Sequence, residues 1–290
     1  MIDKTIKTGR SIIQHGSYND RIYLMEWGGD DPDFLADKLL RLANDENYSK
    51  ITARVPEHAK DAFLNKGFII EACVPSFYNG KEDGYFLGFF PENGRRKIKR
   101  GEHVKKVLST AMDKATQPVL SPLKKGLNIK VAEMDDLKEI AALYAIVFPE
   151  YPFPVYDPAF LKESLLSGHN RYFYIYNSEK IIAASSVEMY PRESFVEMTD
   201  FATLPKYRGH SLARHLLKEM EAYSKQKGFM TAYTIARAVS FGMNITFSRM
   251  GYHFAGTLIN NTRIGQGIES MNVWYKKLNI PNVEPVTGSR

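Results

Sequence analysis

The second half of the chain alternates between apolar patterns of strand and helix type. Apolar residues recur with helical spacing over 211–226, where Leu212, Leu216, Leu217 and Met220 fall on one face. The same criteria predict further helices at 134–147, 158–166 and 240–250, and strands at 128–132, 172–176, 181–189, 195–203, 230–236, 253–259 and 269–276. This order, β-α-α-β-β-β-α-β-α-β-β, indicates an α/β fold with a mixed central sheet.

The first half of the chain repeats part of that order. Its patterns predict strands at 22–27, 51–55, 69–74 and 85–89, and helices at 33–44 and 57–66. Gly67-Phe68 follows the second of these helices as Gly251-Tyr252 follows the last helix of the second half. We therefore interpret the first half as a degenerate partial copy of the second.

A short loop joins the strand at 195–203 to the helix at 211–226. The first turn of a helix has free backbone N–H groups and a partial positive charge, which suit phosphate oxygens, and Arg208 adds a fixed positive charge beside them. The pattern fits a pyrophosphate site, but it fits an ordinary strand-to-helix turn as well. The equivalent loop of the first half, 28–33, contains three Asp residues that would repel a phosphate, so we expect no such site there.

The composition of the chain indicates its cellular compartment. The chain has 290 residues, enough for two domains, with an ordinary 44% of hydrophobic residues. Its single cysteine, Cys73, allows no internal disulfide and fits a reducing compartment. No segment has the apolar stretch of a secretory signal or the ~20 apolar residues of a transmembrane helix. We expect a cytoplasmic protein without a membrane partner, and the spacing of its seven histidines predicts no metal site.

The positive charge is concentrated in one segment. The whole chain has a net charge of +6, but residues 93–130 alone carry eleven Lys and Arg against two Asp and Glu. A patch for nucleic acid or membrane would have such a charge, but no aromatic residue interleaves the run, as a stacking platform for single strands would need. We favour the interpretation that the segment is a solvated, partly helical connector, and we predict no nucleic-acid partner.

With this loop and this order of elements, the chain resembles the GNAT N-acetyltransferase superfamily. That superfamily binds acetyl-CoA through a loop of the form Gln/Arg-x-x-Gly-x-Gly/Ala, and residues 208–213 read Arg-Gly-His-Ser-Leu-Ala. The first and last positions match, whereas Ser211 replaces the central Gly. The resemblance implies that the backbone and Arg208 hold the pyrophosphate of acetyl-CoA as cosubstrate.

Longer strings resemble one family within it, the β-lysine N-acetyltransferases. The strings are 197–203, 233–238, 242–247, 260–262 and 269–276, with 14–16 and 63–74 in the first half. The resemblance implies a half-GNAT-like domain over 1–92, a basic linker over 93–126, a GNAT domain over 127–278 and a flexible tail over 279–290. It also implies that the chain acetylates the distal amine of β-lysine and gives N-acetyl-β-lysine, a neutral zwitterionic osmolyte.

Acetylation of an amine needs a base, because an alkyl amine has a pKa of about 10.4. Glu197 is the leading candidate, since it lies eleven residues before Arg208, where several GNAT enzymes carry a catalytic carboxylate. Asp200 is the second candidate, because a strand bulge could turn it toward the thioester. Phe247 stands where the family often has a Tyr that protonates the thiolate, so either Ser240 or Tyr252 replaces it or water supplies the proton.

The resemblance also implies residues for the two substrates. Those expected along the cosubstrate are Phe201, Ala202, Thr203, Arg208, Gly209, His210, Ser211, Leu212, Ala213 and Asn244. β-Lysine has two amines and one carboxylate, so its pocket needs at least one cation and one or two anions. The residues expected there are Tyr151, Glu188, Arg237, Asn260, Asn261, Glu269 and Asn272, each of which has a purely structural role as an alternative.

Two other function classes stay open from the sequence. One is acetylation of a different amine, such as another diamine or a protein lysine. The other is a non-catalytic protein that binds acyl-CoA or nucleic acid. Glu197 together with the loop argues against a non-catalytic acyl-CoA binder, and salt-dependent binding to DNA would support a nucleic-acid binder.

Overall fold

A computed structural model describes residues 3–115, 120–148, 150–265 and 267–279. The strands are β1 (Lys4–Thr8), β2 (Ser11–Gly16), β3 (Arg21–Glu26), β4 (Lys50–Pro56), β5 (Ile69–Tyr78), β6 (Glu82–Phe89), β7 (Asn128–Val131), β8 (Asn170–Tyr176), β9 (Ile181–Tyr190), β10 (Phe195–Thr203), β11 (Thr231–Arg237), β12 (His253–Ile264) and β13 (Gly267–Lys277). The helices are α1 (Pro32–Asp45), α2 (Glu57–Leu64), α3 (Gly101–Asp113), α4 (Leu137–Val147), α5 (Pro158–Leu166), α6 (Leu212–Gln226) and α7 (Phe241–Arg249).

All the described strands belong to one mixed sheet. Their order is β1-β2-β3-β4-β6-β5-β12-β13-β11-β10-β9-β8-β7, so each half of the chain forms one side of the sheet. The predicted α/β class with a mixed sheet is confirmed, as is the order of elements in the second half. The order predicted for 22–89 in the first half is confirmed as well. Of the predicted tail, 280–290 lies outside the described residues.

Helices cover both faces of the sheet in the second half. Tyr172 and Tyr174 of β8 pack with α4 and α5, whereas the alternate residues Phe173 and Ile175 pack with α6. Because successive side chains of a strand point to opposite faces, the strand is buried on both sides. Within the described ranges, no helix is long and apolar enough to cross a bilayer.

The patterns did not predict β1 and β2, and they gave no bounds for α3, which lies in the segment expected to be partly helical. β1 is an edge strand with the sequence Lys-Thr-Ile-Lys-Thr, and its first four residues are exposed, so its hydrophobic signal is weak. The apolar stripe of α3 consists of Val104, Val107 and Ala111, and its helical spacing is hard to recognise in the sequence because charged residues surround it. This helix packs against α7, so part of the segment expected to be solvated belongs to the packed core.

The two halves of the sheet meet where β5 runs antiparallel to β12. Their register contains one residue pair, Gly256 with Ala72. Gly256 has a φ of +150°, and a Cβ atom there would lie 2.1 Å from the carbonyl oxygen of Glu71. A residue without a side chain is therefore required at this junction.

Buried polar contacts hold the junction together. The Lys50 ammonium lies 2.9 Å from the Glu71 carboxylate and donates to the carbonyl oxygen of Ile259 at 2.6 Å. Arg95, in the segment predicted as a basic linker, is only 8% exposed and donates to the carbonyl oxygens of Asn19 and Asn260. The expectation of a solvated connector does not hold for Arg95, because its guanidinium satisfies carbonyl groups on both sides of the junction.

Candidate active site

Strands β10 and β11 diverge in the middle of the sheet. The two strands pair in parallel from Phe195 with Thr231 to Glu197 with Tyr233. Beyond this last pair, β10 and β11 form no further residue pairs with each other. A cavity of about 200 Å³ opens at the divergence, lined by 197–201 of β10 and 234–237 of β11. An open backbone edge beside a cavity can accept an extended ligand by hydrogen bonding as an added strand would.

A bulge places Asp200 at this cavity. The register between β10 and β9 shifts between Thr199 and Ala202, and Asp200 has a φ of 55°. β10 thus contains a bulge of the kind that could turn Asp200 out of the regular alternation of the strand. Its carboxylate accepts hydrogen bonds from the Tyr151 hydroxyl at 2.8 Å and the Ser186 hydroxyl at 2.6 Å. Burial raises the pKa of Asp200, and these bonds oppose that rise.

Glu197 faces the same cavity and accepts a hydrogen bond from the Tyr233 hydroxyl at 2.5 Å. Burial raises the pKa of Glu197 to about 7, although the hydrogen bond from Tyr233 and the charge of Arg54 oppose the rise. A base that titrates near neutral pH is suited to accept a proton from an ammonium group and release it again.

Glu188 is the third carboxyl group of the cavity, directly across β9 and β10 from Glu197. Burial raises the pKa of Glu188 well above its usual value, and repulsion by Glu197 and Asp200 adds to the rise. The three groups, Glu188, Glu197 and Asp200, are called the carboxylate cluster below. Because they share a poorly hydrated space, a cationic ligand would stabilise their ionised forms.

The first half of the chain supports Glu197 through Arg54 of β4. Arg54 is 2% exposed and donates to the Tyr233 hydroxyl and to the carbonyl oxygen of Met25. Its Cζ atom also lies 4.6 Å from the centroid of the Tyr190 ring and 4.9 Å from that of Phe195. Tyr233 accepts from Arg54 and donates to Glu197, so a continuous hydrogen-bonded chain joins the two halves at the carboxylate.

The loop between β10 and α6 has the features that phosphate binding requires. Gly209 has a φ of 81° and Ser211 a φ of 60°, and no side chain caps the start of α6. Left-handed residues beside an uncapped helix start gather backbone N–H groups into a site for an anion. The Arg208 side chain donates from Nε to the carbonyl oxygen of Thr203 at 3.2 Å. Lys124 Nζ lies 3.2 Å from His210 Nδ1, which adds a cation that the sequence did not indicate.

The residues expected to bind the amine are distributed between the cavity and its surroundings. Tyr151, Glu188, Arg237 and Asn261 line the cavity, as does Phe201 of the set expected along the cosubstrate. Glu269 forms an ion pair with Arg237, with contacts of 2.7 and 2.8 Å.

Three expected asparagines lie elsewhere, and each of these buried residues donates a hydrogen bond from its carboxamide nitrogen. The Asn244 carboxamide donates to the carbonyl oxygens of Arg237 and Ser240 and accepts from Asn272 and Trp274. Asn260 donates to the carbonyl oxygens of Arg95 and Lys97. None of Asn244, Asn260 and Asn272 is among the described residues that line the cavity, so their expected contacts with the ligands stay predictions.

The two candidates for protonating the thiolate do not line the cavity either. The Ser240 hydroxyl accepts from the backbone N–H of Met243 at the start of α7. Tyr252 is buried in the core, where its ring packs against Phe247 at 5.1 Å. Among the residues with described positions, no group of three or more His, Cys, Asp or Glu side chains is placed to hold a metal ion.

Sequence reasoning missed the contribution of the first half to this cavity. Arg21, Tyr23 and Met25 of β3 form part of its wall, and Arg54 lies behind it. The available signal was a charged residue inside an otherwise apolar strand, as in Arg-Ile-Tyr-Leu-Met-Glu of β3 and Lys-Ile-Thr-Ala-Arg-Val-Pro of β4. A buried arginine needs partners, but the sequence alone does not say which cavity those partners share.

Comparisons with known proteins identify the family of this chain. Residues 136–252 match the Acetyltransferase (GNAT) family. Over 95% of this chain and 99% of the relative, the sequence is 37% identical to Beta-lysine N(6)-acetyltransferase of Methanococcus maripaludis. It is 30% identical to N-acetyltransferase YodP of Bacillus subtilis, over 95% of this chain and 99% of that relative. It is also 30% identical to Beta-lysine N(6)-acetyltransferase of Methanosarcina mazei, over 84% of this chain and 97% of that relative. The chain is therefore an acetyl-CoA-dependent N-acetyltransferase of the GNAT superfamily and belongs to the β-lysine N(6)-acetyltransferase family.

Proposed function

We propose that this protein transfers the acetyl group of acetyl-CoA to the distal amine of β-lysine. The observation that carries the proposal is the similarity over nearly the whole length to a relative named for this reaction. The cavity supports it, because the family resemblance covers both halves of the chain and both halves build the cavity wall. We further propose that 1–92 and 127–278 are two domains that share one sheet and one substrate pocket.

In the proposed mechanism, Glu197 acts as the base. The distal ammonium gives a proton to Glu197, and the neutral nitrogen attacks the thioester carbonyl carbon. The C–N bond forms, the C–S bond breaks, and the thiolate of CoA takes a proton from water. The attacking nitrogen gives its second proton to the resulting hydroxide, which leaves a neutral amide, and Glu197 returns its proton to solvent. Direct attack fits the cavity, whose described lining contains no Cys or Ser nucleophile. The reaction as written requires no metal ion.

Arg208 and the backbone at the start of α6 are proposed to hold the pyrophosphate of acetyl-CoA. The uncapped helix start and the left-handed residues Gly209 and Ser211 support this assignment. The open edges of β10 and β11 lead from this loop to the carboxylate cluster, so the pantetheine arm is proposed to lie between them.

The product of this reaction, N-acetyl-β-lysine, keeps one ammonium and one carboxylate. A neutral zwitterion adds solute without net charge, and we propose that it serves as an osmolyte. A cytoplasmic location is proposed as well, in keeping with the single free cysteine. The proposal includes no nucleic-acid or membrane partner.

The decisive test is a mass-spectrometric screen of amines with acetyl-CoA, with β-lysine and α-lysine side by side. We expect β-lysine to gain one acetyl group on its distal nitrogen at the highest kcat/KM of the amines tested. Fragmentation of the product identifies the acetylated nitrogen. A clear preference for α-lysine, for a diamine or for a peptide lysine would contradict the proposed substrate.

A further inference from the structure

Arg21 is a buried cation in the wall of the active-site cavity. It is 4% exposed, and its Nη1 donates to the carbonyl oxygen of Asn261 at 2.6 Å and to the Thr262 hydroxyl at 3.1 Å. Its Cζ atom lies 5.1 Å from the centroid of the Tyr23 ring. Because β12 and β3 both contact it, the guanidinium has a fixed orientation at the junction of the two halves.

This guanidinium lacks a counter-ion within the part of the chain that the structure describes. No carboxylate there lies within 4.0 Å of it, and its Nε atom is buried without a hydrogen-bond partner. Burial lowers the pKa of Arg21 to about 10, so it stays charged at neutral pH. An unpaired buried charge lowers the stability of the folded protein. Buried charges without a partner are found at sites where a bound ligand pairs with them.

The carboxylate cluster supplies the opposite charge in the same cavity. The second arginine in the lining, Arg237, already forms a two-point ion pair with Glu269. The described lining of the cavity therefore offers one cation without an ion pair, Arg21, and three carboxyl groups. This is the complement of a ligand that has one carboxylate and a separate amine.

We propose that Arg21 binds the carboxylate of the amino-acid substrate while the carboxylate cluster receives its distal amine. This subsite rests on the proposed function, since it assumes that the substrate is an amine acetylated at this cavity. The planar guanidinium matches the geometry of a carboxylate, and Arg21 thereby selects amino acids over amines that lack a carboxylate. The first half of the chain thus acts in recognition of the substrate.

The test compares each acid with its carboxamide, which keeps both amines and removes the negative charge. We would measure kcat and KM at saturating acetyl-CoA for β-lysine, β-lysinamide, α-lysine, α-lysinamide and cadaverine. The enzymes are the wild type, Arg21→Gln, Arg21→Lys and Arg41→Gln. Arg41 is an exposed residue of α1 and serves as the matched control.

We expect the wild type to prefer the acid of its substrate pair over the amide by about 10- to 100-fold in kcat/KM, mainly through KM. Arg21→Gln should lose this preference because the acid becomes as poor as the amide, while the KM for acetyl-CoA stays the same. Arg21→Lys should keep part of the preference, and Arg41→Gln should match the wild type.

Equal turnover of acid and amide by the wild type would overturn the subsite. An equal loss for both in Arg21→Gln would also overturn it, because it would reveal a merely structural role. If Arg21→Gln does not fold, the wild-type comparison and Arg21→Lys decide. A preference for α-lysine over both β-lysine and α-lysinamide would refute the proposed substrate and support the subsite. Turnover of cadaverine alone, or of none of these amines, would refute both.

Discussion

At the scale of residues, three neighbouring carboxyl groups of the cavity differ in their surroundings. Asp200 is held by two hydroxyl donors, Glu188 has its pKa raised by burial and by repulsion, and Glu197 has a pKa of about 7. Only Glu197 is joined through Tyr233 to a buried arginine of the other half. These differences favour Glu197 as the base, because its protonation changes in the range where the reaction needs it.

The first prediction concerns this base. Glu197→Gln should lower turnover by about 10²–10⁴-fold and leave acetyl-CoA affinity unchanged. The ionised carboxylate is the active form, so the wild-type rate should rise with pH through about 7, and this acidic limb should flatten in the variant. The measurement is turnover and cosubstrate affinity across pH.

Two companion variants make the assignment specific. Tyr233→Phe removes a hydrogen bond that lowers the pKa of Glu197, so its acidic limb should move to higher pH. Asp200→Asn should keep an acidic limb, moved to lower pH, because it removes a negative charge that raises the pKa of Glu197. If Asp200→Asn abolishes turnover while Glu197→Gln does not, Asp200 is the base. If neither variant matters, the amine loses its proton to water or arrives neutral.

At the scale of elements, one loop combines two devices for holding an anion. The loop ends in an uncapped helix start, where Gly209 and Ser211 adopt left-handed conformations. Basic side chains from two segments, Arg208 and Lys124, lie beside this start. The departure from the usual glycine at position 211 is therefore compatible with the site, because Ser211 adopts the conformation that a glycine would favour.

The prediction for this loop is a loss of cosubstrate affinity. Arg208→Ala removes one charge-assisted contact to the pyrophosphate and should weaken acetyl-CoA binding by about 10- to 150-fold. Isothermal calorimetry measures the affinity, and Arg192→Ala, at an exposed site before β10, is the matched control. Unchanged affinity in a folded Arg208→Ala protein would place the pyrophosphate elsewhere.

At the scale of the whole molecule, the two halves form one sheet through a narrow junction. A single register pair joins β5 to β12, and buried groups such as Lys50, Glu71 and Arg95 complete the contact. The junction holds Arg21 and Arg54 of the first half against the cavity of the second. We therefore expect an intact junction to be required both for the stability of the protein and for the lining of the cavity.

Gly256→Ala tests this coupling. The added Cβ would lie 2.1 Å from the Glu71 carbonyl oxygen and 2.6 Å from the Ala72 Cα, and these backbone atoms must shift. We expect the free energy of unfolding to fall by about 1–3 kcal/mol or more, with a raised KM for the amine. Chemical unfolding and steady-state kinetics measure the two effects. Gly101→Ala, in open space at the start of α3, is the control and should leave stability equal or slightly higher.

The sequence by itself determined the elements of the second half and the position of its main residues. The 3.6-residue period predicted α6, and Glu197, Asp200 and the loop at 208–213 could be placed because they are adjacent in the chain to well-marked elements. The edge strand β1 and the charged helix α3 lacked a clear apolar pattern of this kind. Patterns of neighbouring residues predict local structure, and their signal is weakest in elements that are rich in polar residues.

Only the tertiary structure decided which residues of the first half enter the site. Arg54 meets Tyr233 across a separation of 179 residues, and Arg21 meets Asn261 across 240. Contacts of this kind leave no periodic trace in the sequence, because they arise when two separately patterned halves pair their sheet edges. Packing within the second half placed Asn244 and Asn272 in one buried hydrogen-bond network, and the pairing of the halves placed Asn260 against Arg95. The same pairing buried Arg21 without a counter-ion among the described residues, since burial and partners are properties of the packed chain.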